Sequence, residues 1–454
     1  MTRRDGLKLT AATAVASLSP AYSPAATPAP SPSTHTPQEH AMPDNTAVRS
    51  FQLSFPEADV TELRRRIKMT RWPQQELVSD AASRRIWSTP TAVGPTQGVQ
   101  LATMQKLIQY WGTDYDWGKC EARLKSLPHF TTQIDGLDIH FIHVKSKHRN
   151  ALPMIVTHGW PGSVIEQLKI IEPLTNPTVH GGTEADAFHL IIPSLPGYGF
   201  SGKPTESGWD PARIARAWIV LMKRLDYNRY VAQGGDWGAL ITEQMALIAP
   251  PELIAIHSNM PGTIPPEIVK ALAAGSPPPA DLGADEKRAY EQVAFFYKNG
   301  LGYANEMALR PQTLYGIVDS PAGLAAWILD HDADSYALIA RSFDGEPEGL
   351  TRDDVLDNIT FYWLTNTAIS SARLYWEFQQ TAKAGFFDAK GVTIPVGVSA
   401  NPSEIYTAPK TWTERAFPKL LHYGRTPKGC HFAAWEQPKI FTEEVRASFK
   451  TLRT

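Results

Sequence analysis

Asp236 stands in Gly-Gly-Asp-Trp-Gly, residues 234–238, between a strand-like run, Tyr230-Val231-Ala232-Gln233, and a helix-like run from Ala239 to Met245. A side chain at the tip of such a strand–turn–helix is exposed for nucleophilic attack, and a nucleophile of this kind needs a base and an acid that orients the base. Downstream, Val398-Ser399-Ala400-Asn401-Pro402-Ser403-Glu404 puts a carboxylate just beyond a strand end. Gly429-Cys430-His431-Phe432 then puts an imidazole in a loop before a helix. The order is nucleophile, acid, histidine, with room between the last two for one helix and one strand. Upstream, His158-Gly159-Trp160-Pro161-Gly162 closes the strand-like Met154–Thr157. There the backbone N–H of Trp160 can join that of Trp237 in an oxyanion hole. Taken singly, Glu404 reads as a solvated loop carboxylate and His431 as a satisfied core histidine; the ordered set gives them chemistry. His158 is assigned to a hydrogen bond within its own loop.

The elements that must position these groups alternate. Ile134 to Val144 (IDGLDIHFIHV) reads as a hairpin turning at Asp135-Gly136. Met154–Thr157, Leu190–Ile192, Ala255–Asn259 and Ile394–Ser399 read as short buried strands ending in loops. Strands spaced by helices predict an α/β fold with a mostly parallel, doubly wound sheet. With the nucleophile turn, this is the α/β-hydrolase fold. Residues 1–45 read as a signal and linker, 46–128 as an aromatic-rich helical N-terminal domain, 129–262 as the first part of the core, 263–385 as a helical cap and 386–454 as the second part of the core. In the N-terminal domain Val60, Leu63, Ile67 and Trp72 form one apolar stripe, and Leu101, Met104, Leu107, Ile108 and Trp111 another. Arg64-Arg65-Arg66 beside the first stripe reads as a solvated face. The cap, opened by SPPPADLG, should lie over the C-terminal strand ends, where such sheets bind ligands.

The chain has 454 residues, 43% hydrophobic and 20% charged, with a formal net charge of −2. That balance suits a sizeable core and gives no electrostatic footprint for nucleic acid or anionic membrane. Two cysteines, Cys120 and Cys430, make no disulfide framework and lack zinc-ligand spacing. Asp330-His331-Asp332-Ala333-Asp334 resembles a calcium loop but has no glycine at its sixth position, and Arg341 stands where the bidentate Glu belongs. His140 and His143 lack helical metal spacing. No dinucleotide or phosphate-cradling glycine loop is found. The expectation is therefore an enzyme with no cofactor and no metal. Arg3-Arg4, followed by the weakly apolar Leu9–Leu18 and a Pro/Ala/Ser/Thr-rich stretch at 20–38, resembles a twin-arginine export signal and linker. Export is the expectation, a cytoplasmic location the alternative, and no stable membrane span is expected.

Together these stretches resemble the microsomal-type epoxide hydrolases. TRWP (70–73), YWGTDYDW (110–117), IDGLDIHFIHV, THGWPGS (157–163), LPGYGFS (195–201), GGDWG, DSPAGLAAWI (319–328) and HFAAWEQP (431–438) carry the likeness, which spans residues 46–450. The resemblance implies that Asp236 attacks an epoxide carbon and leaves an ester, that His431 with Glu404 activates the water that hydrolyses it, and that two cap tyrosines protonate the leaving alkoxide. A serine would leave a stable ether instead. Position matching places the tyrosines at Tyr303 and Tyr375. It further implies an apolar epoxide and water as partners, and leaves association of identical chains open. Two departures stand beside the machinery: Cys430 precedes His431 where the family has glycine, and Asn401 stands where phenylalanine is commoner. A haloalkane dehalogenase uses the same Asp but needs no tyrosine acid, and a hydrolase-fold binding protein that has lost turnover is the remaining alternative.

Overall fold

Among the described residues nine strands, numbered in chain order, form one sheet in the order 1-2-3-5-4-6-7-8-9. The computed structural model describes residues 46–78 and 97–453, so the expected export signal and linker, residues 1–45, lie outside the described residues. β1 (Arg49–Ser50), β2 (His129–Ile134) and β3 (Leu137–Val144) make an antiparallel flank, and β3 pairs antiparallel with β5 (Phe188–Pro193). β4 (Leu152–Thr157), β6 (Tyr230–Gly234), β7 (Leu253–Ser258), β8 (Val396–Ala400) and β9 (Leu420–Arg425) continue it in parallel from β5. The hairpin turns as expected, with Asp135 at φ 49° and Gly136 at φ 79°, the left-handed pair that a two-residue turn requires. β4, β5, β6, β7 and β8 are buried almost throughout because helices cover both faces, so they read as continuous apolar runs. The half-buried β9 lies at the sheet's edge.

Between β7 and β8 the chain is helical. The insertion is pinched off where Ile264 N–H donates to Phe387 O at 2.9 Å and Ala389 N–H donates to Ile264 O at 3.0 Å. Its first helix, Pro266–Ala273, precedes SPPPADLG, so that run is a loop inside the cap and not its opening. The helix Arg352–Thr365 is the cap's anchor to the core. A reciprocal capping box of Thr351 and Asp354 starts it, and Asn366, at φ 51°, ends it. Asn358 Nδ2 donates to Pro161 O and Tyr362 Oη to Gly162 O, both at 2.7 Å, while Ser163 Oγ donates to Asn358 Oδ1 at 2.7 Å. The cap is thereby tied to the loop that carries Trp160.

The N-terminal helices in turn hold that anchor. Tyr110 Oη donates to Asp353 Oδ1 (2.6 Å), Tyr115 Oη to Asp357 Oδ1 (2.8 Å) and Trp111 Nε1 to Thr360 Oγ1 (3.0 Å). Met104, Leu107, Ile108 and Trp111 form the buried face of the helix Leu101–Thr113, as their spacing predicts. The first stripe is shorter than expected: its helix runs Glu57–Lys68 and buries Leu63 and Ile67, whereas Trp72 lies beyond the helix end and is 41% exposed. Arg65 pairs with Glu62, and Arg66 also reaches Asp319 Oδ1 at 2.8 Å, so one arginine of the run ties the helix to the cap.

The helix Trp237–Ile248 packs on the sheet through Gly238, where a Cβ would come within 2.0 Å of Thr157 O. Gly238→Ala should therefore cost about 1–3 kcal/mol in denaturant unfolding, whereas Gly316→Ala, which meets nothing within 4 Å, should be close to neutral. Equal stability of the two variants would contradict this packing.

Candidate active site

Asp236 sits between β6 and the helix Trp237–Ile248 with φ 51° and ψ −128°. No ordinary residue favours that backbone, and such strain gathers at functional sites. The turn lifts the carboxylate off the strand, and Trp160 N–H donates to its Oδ1 at 2.7 Å. Gly159 allows that approach, since a Cβ there would fall 2.2 Å from the same oxygen. Trp237 is the first residue of its helix, so its N–H is one of the donors without an intrahelical acceptor, at the positive end of the helix dipole.

The other oxygen faces histidine. His431 Nε2 is 3.4 Å from Asp236 Oδ2, and its Nδ1 is 2.6 Å from Glu404 Oε1. Glu404 is 3% exposed and also accepts the Ile405 N–H at 2.9 Å. Between these two residues run the helix Lys410–Ala416 and β9, the one helix and one strand that the spacing requires. The two departures from the family pattern touch each other: Asn401 Nδ2 donates to Cys430 O at 3.2 Å, and Ser403 N–H donates to Gly429 O at 3.1 Å. The loop of Glu404 is thus stitched to the loop of His431. The Cys430 N–H donates to Glu436 Oε2 at 3.1 Å, and Cys430 does not line the cavity beside Asp236.

Tyr303, on the helix Gly302–Leu309, stacks on Trp160 with centroids 5.1 Å apart. Tyr375, on Ala368–Thr381, meets Trp237 edge-on at 4.7 Å and Tyr303 at 6.0 Å. Phe378 and Phe386 extend the apolar wall around Trp237. On the opposite side a cavity of about 20 Å³, room for one water molecule, is lined by Gly159, Glu166, Gln233, Asp236 and His431 among others. His158 lies near the ordinary loop role assigned to it, with Nδ1 2.9 Å from Gly159 O and Nε2 accepting Leu195 N–H at 3.2 Å.

One residue of this site escaped the sequence reading. His331, from the rejected calcium-like run, is 2% exposed and places Nε2 3.9 Å from Asp236 Oδ2. Its ring centroid is 4.5 Å from that of His431. The histidine between two aspartates was the available signal, but only the cap's packing brings it here.

Burial disfavours the Asp236 charge, but the His431 and His331 imidazoles and the Trp160 N–H outweigh it and hold the carboxyl below its usual range. Burial likewise opposes the His431 cation, yet Glu404 and Asp236 lift it well above the ordinary histidine value. Glu404 is raised by burial against the pull of His431. Burial, reinforced by the Asp236 charge, pushes both Tyr303 and Tyr375 well above the ordinary phenol value, so they stay protonated donors. Burial and then Asp236 push Glu166 up to about 8.

Two family models match the chain, "Epoxide hydrolase N terminus" over residues 48–167 and "alpha/beta hydrolase fold" over 153–299. A protein of Stigmatella aurantiaca, provisionally named an epoxide hydrolase, is 47% identical over 410 residues, 89% of this chain and 86% of the relative. Epoxide hydrolase 1 of Oryctolagus cuniculus is 34% identical over 420 residues, 88% of each chain. The crystal structure of juvenile hormone epoxide hydrolase from Bombyx mori superposes with a TM-score of 0.75 at 30% identity, covering 92% of this chain and 98% of that one.

The electrostatic coupling is testable directly. Asp236→Asn removes one of the two carboxylates that raise His431, so the imidazole pKa should fall toward the ordinary histidine value, read by NMR of the ring nitrogens. An unchanged titration would contradict the coupling.

Proposed function

The chain belongs to the epoxide hydrolase family and is an enzyme of that activity, and we propose that it opens the epoxide through a covalent ester on Asp236. The observation that carries this reading is the division of labour between the two carboxylate oxygens. Oδ1 is held by the Trp160 amide, while Oδ2 is left facing His431. In the first step Oδ2 attacks an epoxide carbon, the carbon–oxygen bond breaks, and its electron pair goes to the epoxide oxygen. Tyr303 and Tyr375 hydrogen-bond that oxygen, and one of them gives it a proton. Phenols are suited to this, being acids weak enough to remain protonated and strong enough to protonate an alkoxide. A halide leaving group would need neither, so the two phenols favour an epoxide over a haloalkane.

The ester changes the electrostatics of its own hydrolysis. Esterified Asp236 carries no charge, so His431 loses one of the two anions that raise its pKa and becomes a base at neutral pH. Its Nε2 takes a proton from a water molecule, for which the cavity between Glu166, Gln233 and His431 has room. The water oxygen attacks the Asp236 carbonyl carbon, and the oxyanion on Oδ1 is met by the Trp160 and Trp237 amides. Collapse breaks the ester bond and the diol alkoxide takes the proton from His431. The second water proton passes from the Asp236 carboxyl to the tyrosinate, so Asp236 is restored as a carboxylate with one oxygen from water and the phenol is restored as well. The indole and phenyl walls suit an apolar epoxide. Trp237, Trp160, Phe378 and Phe386 would exclude bulk water from both steps.

Asp236→Ala should abolish diol formation, and turnover near the parent rate would sink the mechanism. His431→Gln should accumulate an adduct heavier by the mass of the epoxide; an unchanged intact mass with a reactive epoxide counts against the base assignment. Loss of both phenols, Tyr303→Phe with Tyr375→Phe, should slow ester formation by about 100-fold or more while leaving ester hydrolysis less affected; single-turnover kinetics showing the reverse would remove the acid assignment. Export through the Arg3-Arg4 signal is also proposed: Arg3→Lys with Arg4→Lys should retain the protein inside the cell, and unchanged fractionation would contradict it.

A further inference from the structure

His331 repeats, on the cap side of Asp236, the arrangement that His431 makes on the core side. Its Nδ1 is 2.9 Å from Asp332 Oδ2, and Asp332 is itself fixed as the N-cap of the helix Ala333–Phe343, its Oδ1 accepting the Ser335 N–H at 2.8 Å. The Nδ1 of His431 is 2.6 Å from Glu404 Oε1. Each imidazole thus has a carboxylate on Nδ1, which turns the other nitrogen, Nε2, toward the site, where a metal ion would displace any proton that Nε2 carries. Neither Nε2 makes a hydrogen bond of good geometry among the described residues, and both are buried. Both point at Asp236 Oδ2, from 3.9 Å and 3.4 Å.

We propose that Asp236, His331 and His431 form a binding site for a zinc-class divalent ion, and that occupancy switches the hydrolase off. Two imidazole nitrogens and one carboxylate oxygen are the protein ligands of a common tetrahedral zinc site with one open position. The carboxylates behind the two Nδ1 atoms are the outer partners that orient metal-binding histidines and raise their basicity. The three ligand atoms lie within 4.8 Å of one another. Bonds of about 2.0–2.2 Å to a tetrahedral ion set ligand atoms about 3.4 Å apart, which is the present His431–Asp236 separation, so His331 is the ligand that must move in, by rotation of its side chain. Imidazole and carboxylate together favour zinc over magnesium, which prefers oxygen ligands and retains its waters. A bound ion would take Oδ2, the attacking atom, and the Nε2 that activates water, so it would stop both steps at once. That inhibitory consequence rests on the Asp236 mechanism; the binding itself does not.

The test uses the full-length enzyme freed of metal with EDTA and dialysed, then titrated with zinc chloride alone. Calorimetry should give one ion per chain. Diol formation should fall in step with occupancy, recover when EDTA is added, and be unaffected by equimolar magnesium. Asp332→Asn, which keeps a capping side chain, should weaken zinc binding about 10- to 100-fold. His331→Gln, which removes a ligand, should weaken it further. Each variant is compared with its own zinc-free rate. Cobalt(II) in the parent enzyme should give the visible absorption of a tetrahedral nitrogen–oxygen site, a readout independent of how the variants fold. Equal zinc affinity in parent and His331→Gln, or no binding below millimolar zinc, would overturn the site. Absence of diol from the metal-free enzyme would count against the hydrolase chemistry instead, because calorimetry reads the ion without turnover.

Discussion

A buried carboxylate is the fact to which the rest of this molecule answers. Asp236 is 7% exposed and held at a positive φ, and an ion in that position is costly unless donors surround it. The surroundings supply a backbone N–H, the opening turn of a helix and two imidazoles. The same charge acts back on its neighbours, adding to the pull of Glu404 that raises His431 and to the burial that keeps Tyr303 and Tyr375 protonated and pushes Glu166 up. When that charge is consumed in an ester, each of these influences weakens together, which links the proposed first step to the second without any movement of the chain.

The architecture follows from the need to fix groups that come from distant parts of the sequence. β4, β6 and β8 bring the Trp160 amide, Asp236 and Glu404 to the same end of the sheet, and the loop after β9 adds His431. The tyrosines and His331 come from the cap, so their placement depends on how firmly the cap is seated. Asn358 and Tyr362 seat it on the 161–162 backbone, and Tyr110, Trp111 and Tyr115 clamp the same helix from the N-terminal side. The N-terminal helices are in this sense a support for the cap side of the site, though among the described residues none of their side chains reaches Asp236.

The parts of this arrangement legible in the sequence are those with local signatures. Asp236, Glu404 and His431 each follow a strand, in an order that the fold dictates, and Trp160 and Trp237 are fixed by their place in the same loops. The hairpin announced itself by Asp135-Gly136, and the second aromatic stripe by its helical period. Tyr303 and Tyr375 were reachable only through the family resemblance, because a tyrosine in an apolar helix reads as core. His331 showed in the sequence only as a histidine between two aspartates: its partner Asp332 is adjacent, but its approach to Asp236 is created by tertiary packing across 95 residues of chain. Trp72 misled for the opposite reason, since helical spacing persists in the sequence after the helix has ended at Lys68. Asn401 and Cys430, departures when taken one at a time, form a hydrogen-bonded pair across two loops that no linear pattern displays.

The central claim is that the oxygen added to the epoxide comes from Asp236 and is replaced from water afterwards. A single turnover in oxygen-18 water, with enzyme in excess over epoxide, decides it. An Asp236 ester gives a first-turnover diol without the label and a heavy oxygen in the peptide that contains Asp236. Label in the diol at the first turnover, with that peptide unchanged, would mean direct attack by water and would contradict it.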